Sequence, residues 1–97
     1  MRYEWDENKN ESNLEKHGLS FETASLVFDD PNALSIPDRI ENGEERWQTI
    51  GMIENIVIVM VAHTIKLETD TQEEIIRIIS ARKATRAERQ EYEQALW

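Results

Sequence analysis

The segment spanning residues 75–96 constrains the fold most, because it has the pattern of a buried strand that leads directly into a capped helix. Four isoleucines within five residues strongly favour extended structure. Thr85 and Glu88 have the spacing of a capping box, which predicts a helix beginning near Arg86. Arg77 interrupts the isoleucines, and a cation among so many apolar side chains is costly to desolvate without a partner. We therefore expect this segment to hold an anionic ligand, with RNA as the leading candidate.

Two further helices are predicted near the start of the chain. Asp6 is a suitable N-cap for a helix that ends near His17, where Gly18 supplies the left-handed position. Ser20 caps a second helix, and its apolar residues recur at helical spacing. The residues before Pro31 resist the helical conformation, so this second helix should end there.

Strands dominate the middle of the chain. Residues 33–36 predict a short strand stopped by Pro37, and residues 45–53 predict a longer one. Residues 56–61 are apolar on both faces, which is typical of a central strand. Residues 3–5 are either a short strand or an apolar plug. The expected fold is therefore α+β: two N-terminal helices, a four-stranded antiparallel meander and a C-terminal helix, in a single domain over residues 1–97.

The charge of the chain is strongly acidic and unevenly distributed. Its net charge is −9, which on its own disfavours a nucleic-acid partner. Residues 1–74 carry 6 basic and 17 acidic side chains, whereas residues 75–97 carry 5 basic and 3 acidic ones. A local basic site is therefore compatible with the acidic whole, because screening limits what a phosphate feels to roughly 10 Å.

Several classes of protein are excluded or disfavoured by simpler features. The absence of cysteine excludes disulfides, thiolate metal sites and a cysteine nucleophile. The first residues lack the apolar core of a signal peptide. The longest apolar run, residues 56–62, is too short to span a bilayer, so we expect a cytoplasmic protein with no membrane association. The two histidines are far apart in sequence, and no ligand spacing predicts a metal site or another cofactor.

Two residues leave functional and structural interpretations open. Arg77 either aims its planar guanidinium at a phosphate or pairs with a carboxylate across the sheet, for which Glu45 is a candidate. His63 follows the most buried strand, so it is either a satisfied core residue or a general acid or base. Lys16 and His17 fit the dipole at a helix C-terminus without further function. The remaining cations, namely Arg82, Lys83 and Arg86, are by default a solvated helix start.

Four stretches in order along nearly the whole chain together resemble one family. They are EWD at 4–6 with NLEKHG at 13–18, SFE at 20–22 with VFDDP at 27–31, EER at 44–46 with IG at 50–51, and HT at 63–64 with IIRIISARKAT at 75–85. This combination resembles the BrnT family of type II toxins. The resemblance implies a fold similar to that of RelE-type ribonucleases and inhibition of translation by RNA cleavage. It also implies neutralisation by a BrnA-type antitoxin whose ribbon-helix-helix module binds DNA, so that DNA is contacted only through the antitoxin, with a toxin dimer in the complex.

The resemblance gives the candidate residues roles in metal-independent RNA cleavage. Such cleavage needs a base, an acid and cations that stabilise the phosphorane. Arg77 and Arg82 are assigned to the phosphorane, although a regular strand would put them on opposite faces unless a bulge near Ser80 intervenes. The catalytic candidates are Arg77, His63, Glu45 and Lys16, and the RNA-binding candidates are Arg82, Lys83, Arg86 and His17, with His17 also in reserve as an acid or base.

Two alternatives of other classes remain. The first is a catalytically weakened or inactive BrnT-like module whose basic segment docks an antitoxin-like partner, which would explain why so acidic a chain keeps this pattern. The second is a DNA-binding protein acting alone. Glu88, Glu91 and Glu93 dilute the charge of the last helix, which argues against the second.

Overall fold

The computed structural model describes residues 1–96, which form five strands and three α-helices. No helix within this range is long and apolar enough to cross a membrane. In chain order the elements are β1 (Arg2–Glu4), α1 (Glu7–His17), α2 (Phe21–Ala24), a 3₁₀ turn (Ser25–Asp29), β2 (Leu34–Glu41), β3 (Glu44–Ile53), β4 (Val57–Leu67), β5 (Glu74–Lys83) and α3 (Arg86–Gln94).

The sheet is five-stranded and mixed, in the order β1-β5-β4-β3-β2. Strands β2 to β5 form the expected antiparallel meander, while β1 pairs with β5 in parallel and places Tyr3 opposite Ile76. The prediction of a four-stranded, purely antiparallel sheet was therefore wrong. Three residues carry too little pattern to distinguish a strand from an apolar plug, and the pairing with β5 decides between them.

The second N-terminal helix is shorter than predicted. It makes one α-helical turn, capped by Ser20, and then tightens into the 3₁₀ turn. Val27 of this turn lies directly on Gly51 of β3, where an added Cβ would come within 3.0 Å of the Val27 side chain. Close packing against the sheet thus governs the end of this helix, and helical periodicity alone does not report it.

The first strand of the meander is longer than predicted. Pro37 does not stop β2, which continues to Glu41 after a register shift between Pro37 and Arg39. The reason is that β2 is an edge strand, where a proline needs no inward-facing N–H and a bulge absorbs the irregularity.

Apolar residues cover β4 on both faces, which confirms it as a central strand. The face towards α1, α2 and the 3₁₀ turn is called the α1 face, and the opposite one the α3 face. The α1 face holds the larger core, and the α3 face holds a smaller cluster around Tyr92. The core residues of the α1 face are Phe21, Ala24, Val27, Ile53, Val59, Val61, Ile76, Ile78 and Ala81, and those of the α3 face are Ile50, Met60, Ala84 and Tyr92.

The predicted capping box is confirmed at the start of α3. The Glu88 backbone donates to Thr85 Oγ1 at 3.2 Å, and the Thr85 backbone donates to Glu88 Oε1 at 2.8 Å. Both orphan amides are thereby satisfied, which fixes the point where the chain leaves β5 and turns onto the α3 face.

Candidate anion-binding site

A bulge in β5 brings Arg77 and Arg82 to the same face of the sheet. Ser80 pairs with Ala62 and Ile78 pairs with His63, so Ile79 has no partner in β4. The extra residue reverses the alternation of the side chains that follow it. Arg77 and Arg82 therefore pair with Thr64 and Met60, which both point to the α3 face. A regular strand would put these two arginines on opposite faces, and the bulge at Ile79 puts them on the same one.

Arginines from three adjacent strands form a row across the α3 face. Arg46 and Arg77 are both register partners of Thr64, and Arg39 is the partner of Arg46. With neighbouring strands about 4.8 Å apart, the Cα atoms of Arg46 and Arg77 are roughly 10 Å apart, so two long guanidinium side chains can meet above Thr64. Arg39, Arg46 and Arg77 are called the arginine row.

The three arginines of the row differ in whether they form ion pairs with carboxylates. Arg77 is exposed and forms no ion pair with any carboxylate of residues 1–96. Arg46 is partly buried, and its Nε lies 3.1 Å from Glu41 Oε2. Arg39 approaches the same Glu41 oxygen at 3.3 Å. The row therefore keeps one guanidinium open to solvent beside two that share a single counter-charge.

A cleft adjoins the open end of the row. Its volume is about 360 Å³, and it is lined by Glu4, Trp5, Asp6 and Arg77. Glu4 is the register partner of Arg77 in β1 and lies 3.8 Å from the Lys66 ammonium. A cation, a carboxylate and an ammonium thus lie together at the edge of this face.

Arg82 shares the face of the row but is engaged elsewhere. Its two terminal nitrogens donate to the two Glu88 oxygens at 2.7 and 3.0 Å. This paired hydrogen bond raises the pKa of Arg82 and lowers that of Glu88. Arg82 therefore ties the end of β5 to α3. Lys83 is opposite Val59 on the α1 face and Arg86 is in the first turn of α3, both exposed and outside the row.

His63 lies in the core, on the face opposite the row. It is fully buried, and its Nε2 shares a hydrogen bond of 2.7 Å with Thr49 Oγ1. The Phe28 ring contacts it edge-on with centroids 4.9 Å apart. Burial lowers the pKa of His63, so the ring is neutral near pH 7. The geometry is that of a satisfied core histidine, and it does not bring His63 to Arg77.

The other candidates are also separated from the row. Glu45 is exposed and pairs with Ile40, so its side chain points to the α1 face and does not face Arg77. Lys16 and His17 are exposed in the last turn of α1, in the layer on the far side of the sheet. Four residues of the site, Glu4, Arg39, Arg46 and Lys66, were not predicted from the sequence. The β3–β4 connection spans residues 54–56, and counting back from the pair of Ile53 and Val57 places Arg46 opposite Thr64.

Metal-ligating side chains are not clustered in the described part of the chain. Among residues 1–96, no three histidine, aspartate or glutamate side chains are grouped as a metal ion would require. The groups gathered at the row can bind anions, stabilise negative charge and exchange protons.

A sheet that exposes a guanidinium with no carboxylate partner among residues 1–96, beside a second arginine, defines an α+β protein with a candidate anion-binding face. The family described as "Ribonuclease toxin, BrnT, of type II toxin-antitoxin system" matches residues 5–88. This chain therefore belongs to the BrnT family of ribonuclease toxins of type II toxin–antitoxin systems. Its structure is similar to the crystal structure of the Brucella abortus ribonuclease toxin BrnT, with a TM-score of 0.66 and 30% sequence identity over 89% of this chain and 99% of that one. No curated protein matches the sequence.

Proposed function

We propose that this chain cleaves RNA at the arginine row without a metal ion, and so inhibits translation in the manner of RelE-type toxins. The observation that carries this proposal is the exposed Arg77 guanidinium, which has no carboxylate partner within residues 1–96 and lies two strands from Arg46. An arginine fork matches phosphate geometry. An open one beside a second arginine is therefore suited to a phosphodiester.

The reaction requires charge stabilisation and two proton transfers. Arg77 and Arg46 bind the equatorial oxygens of the phosphorane that forms when the ribose 2′ oxygen attacks phosphorus. Glu4 takes the proton from the 2′ hydroxyl. Lys66 gives a proton to the 5′ oxygen as the P–O5′ bond breaks, which leaves a cyclic phosphate and a free 5′ hydroxyl. The pair of Glu4 and Lys66, 3.8 Å apart, then exchanges the proton back.

The other residues predicted from the sequence lie outside the chemical step. His63 holds β4 against the core through Thr49 and contributes to stability rather than to proton transfer. Arg82 fixes the end of β5, while Lys83 and Arg86 provide positive potential for a long RNA. Glu45, Lys16 and His17 lie on the other side of the sheet and take no part in the chemical step.

We further infer the setting in which the chain acts. A BrnA-type antitoxin with a ribbon-helix-helix module neutralises it, and DNA is reached only through that antitoxin. A toxin dimer forms within this complex. The whole of residues 1–97 acts as one domain, in the cytoplasm where its RNA substrate lies.

RNA cleavage by the purified protein tests this proposal. Arg77→Ala should lower the cleavage rate about a hundredfold, because it removes one charge-stabilising contact, and Arg77→Lys should recover only part of it. Lys9→Ala, which removes an exposed cation of α1, is the matched control and should cleave like the parent. Cleavage should persist in a chelator. Full activity of Arg77→Ala would contradict the proposal.

A second candidate function is suggested by the charge of −9. An acidic surface repels RNA, and a BrnT-like module that docks a partner without cutting would tolerate it. The same assay separates the two functions. A parent protein that binds its partner but leaves RNA intact would establish the module.

A further inference from the structure

The α1 face is left uncovered at the end of the sheet distant from Gly51. Its last covering side chain is Phe28 of the 3₁₀ turn, which contacts His63 and Tyr3 with ring centroids 4.9 and 5.6 Å apart. Beyond this contact, Ile40 is 75% exposed, Leu67 54% and Ile65 39%. Large apolar side chains therefore face solvent there.

These side chains belong to one surface, because the register places them on the same face of adjacent strands. Ile65 pairs with the core residue Ile76, and Leu67 follows two residues later on the same face. Trp47 is half-buried and pairs with His63. Ile40 pairs with Glu45, which lies two residues before Trp47 and on the same face. Ile40, Trp47, Ile65 and Leu67 are called the apolar patch.

Carboxylates lie both inside the apolar patch and around it. Glu45 lies inside it, between Ile40 and Ile65, and Glu74 is the register partner of Leu67. The β4–β5 connection at residues 68–73 adds further carboxylates. The cations adjacent in sequence to the patch, Arg39, Arg46 and Lys66, point to the α3 face. Arg2 is already 3.4 Å from Glu68. The acidic residues available to the border are Glu45, Glu68, Asp70, Glu73 and Glu74. Glu41 and Glu44 point to the α3 face, where Glu41 pairs with Arg39 and Arg46.

We propose that the apolar patch is the docking surface for the antitoxin of this toxin. The antitoxin contributes a segment whose apolar side chains cover Ile40, Ile65 and Leu67 and whose flanking lysines or arginines meet the acidic border. This inference rests on the proposed function, because only a type II toxin requires such a partner. Apolar anchors inside a charged border are the usual composition of a protein–protein interface.

Charge complementarity favours a basic partner over a second copy of this chain. A symmetric contact through the patch would bring two acidic borders together in a protein of net charge −9, and like charges facing each other are unfavourable. A basic segment removes that repulsion.

The apolar patch and the arginine row lie at the same end of the sheet on opposite faces. Lys66 of the α3 face is between Ile65 and Leu67 of the α1 face in the sequence of β4. The antitoxin can therefore dock without using Arg77, and it can reach the arginine row only by passing over the edge or end of the sheet. Docking and RNA cleavage should be separable by mutation.

Binding of the protein encoded next to this chain's gene, co-expressed and then purified, tests the inference. Ile65→Lys combined with Leu67→Lys places cations against a basic partner, and should raise Kd about thirtyfold or more, as loss of a central anchor does. Ile56→Lys is the matched control, because Ile56 is 80% exposed but lies in the β3–β4 turn at the other end of the sheet. The Kd of this variant for the partner should stay within about threefold of the parent's. Arg77→Ala should bind like the parent.

Folding and activity are measured on the same variants. The double variant should keep the parent's melting cooperativity and RNA cleavage, and in cells its toxicity should persist when the partner is expressed. Parent-like binding by the double variant, or no binding by the parent itself, would overturn the inference. So would a parent homodimer that the double variant dissociates, since the patch would then serve a second copy. RNA cleavage by the parent decides the proposed function independently of every one of these results.

Discussion

Arg46 and Arg77 lie on either side of Thr64, each as its register partner, on the same face of the sheet. They come from β3 and β5, which are not neighbours, so β4 sets the distance between them. Thr64 is buried, and the two arginine stems flank it. The backbone ladder thus fixes the spacing of the two Cα atoms, from which the guanidinium groups extend on flexible side chains.

The first prediction concerns the coupling of these two arginines. Arg46→Ala should lower RNA cleavage about a hundredfold, and the double variant with Arg77→Ala should lose less than the product of the single losses, because both groups bind one phosphorane. Single-turnover cleavage by the four proteins gives the coupling. Strictly multiplicative losses would show that the arginines bind separate phosphates.

His63 predicts a pH dependence of stability. Burial lowers its pKa below the 6.5 of the unfolded chain, so the unfolded state binds the proton more readily. The stability that neutral His63 contributes is fully present above pH 6.5 and declines as the pH falls from there towards the folded-state pKa. Urea unfolding at pH 7.5 and pH 5.5 should show this loss in the parent, and His63→Gln should show a smaller one. An equal pH response of the two proteins would exclude His63 as its source.

The contact between Asp30 and Tyr92 predicts acid sensitivity at a second place. Tyr92 Oη donates to Asp30 Oδ2 at 2.6 Å, and the Met52 backbone donates to the same oxygen at 2.8 Å. Burial tends to raise the pKa of Asp30, but these hydrogen bonds together lower it, while burial and Asp30 raise that of Tyr92 to about 12.

Tyr92→Phe should therefore cost about 1.5–3 kcal/mol of unfolding free energy at pH 7, the usual worth of a hydrogen bond to a charged group. The Asp30 contribution is present above its unfolded pKa of 3.8 and is lost as the pH falls through the lower folded value. Denaturation at pH 7 and below pH 3.8 should show that the variant loses less unfolding free energy on acidification than the parent does. Identical curves for parent and variant would contradict the prediction.

Gly51 predicts an intolerance to added volume. A Cβ there would lie 3.0 Å from both Val27 Cβ and the Val27 carbonyl oxygen, and the backbone atom cannot yield as a flexible side chain would. Gly51→Ala should therefore destabilise the protein by about 1–3 kcal/mol. Val27→Ala keeps the Cβ and the carbonyl oxygen that the new methyl group would meet, so adding it to Gly51→Ala should recover none of the loss in a thermal melt.

The net charge predicts the response to salt. Residues 1–74 carry 17 acidic and 6 basic side chains, so self-repulsion opposes folding. Moderate salt should raise the melting temperature of the isolated protein, because it screens this repulsion. A fall in melting temperature with salt would mean that attractive ion pairs, such as those of Arg46 and Arg82, dominate.

Local sequence was sufficient for features that depend on neighbouring residues. The capping box of α3, the C-cap at Gly18 and the two-sided burial of β4 each follow from residue types within one turn or one strand. The α+β class followed from helices grouped before strands. In each case the energy that decides the structure is already present within a short segment.

Local sequence was insufficient for β1 and for the continuation of β2 past Pro37. A three-residue strand gains its stability from pairing with β5, and a proline is tolerated only because β2 has no outer neighbour. Both facts depend on which strands lie side by side, and that arrangement is a long-range property.

The candidate site divides in the same way. The sequence by itself determined that Arg77 interrupts a run of isoleucines in a strand, and it predicted a partner or a ligand for this residue because desolvating a cation is costly. The structure leaves Arg77 exposed, so solvent can hydrate its guanidinium and the ligand stays a prediction. Only the tertiary structure decided that the extra residue at Ile79 places Arg82 on the same face, that Arg46 accompanies Arg77, and that His63 is turned into the core. Strand register fixes all three, since moving the pairing by one residue sends every side chain to the opposite face.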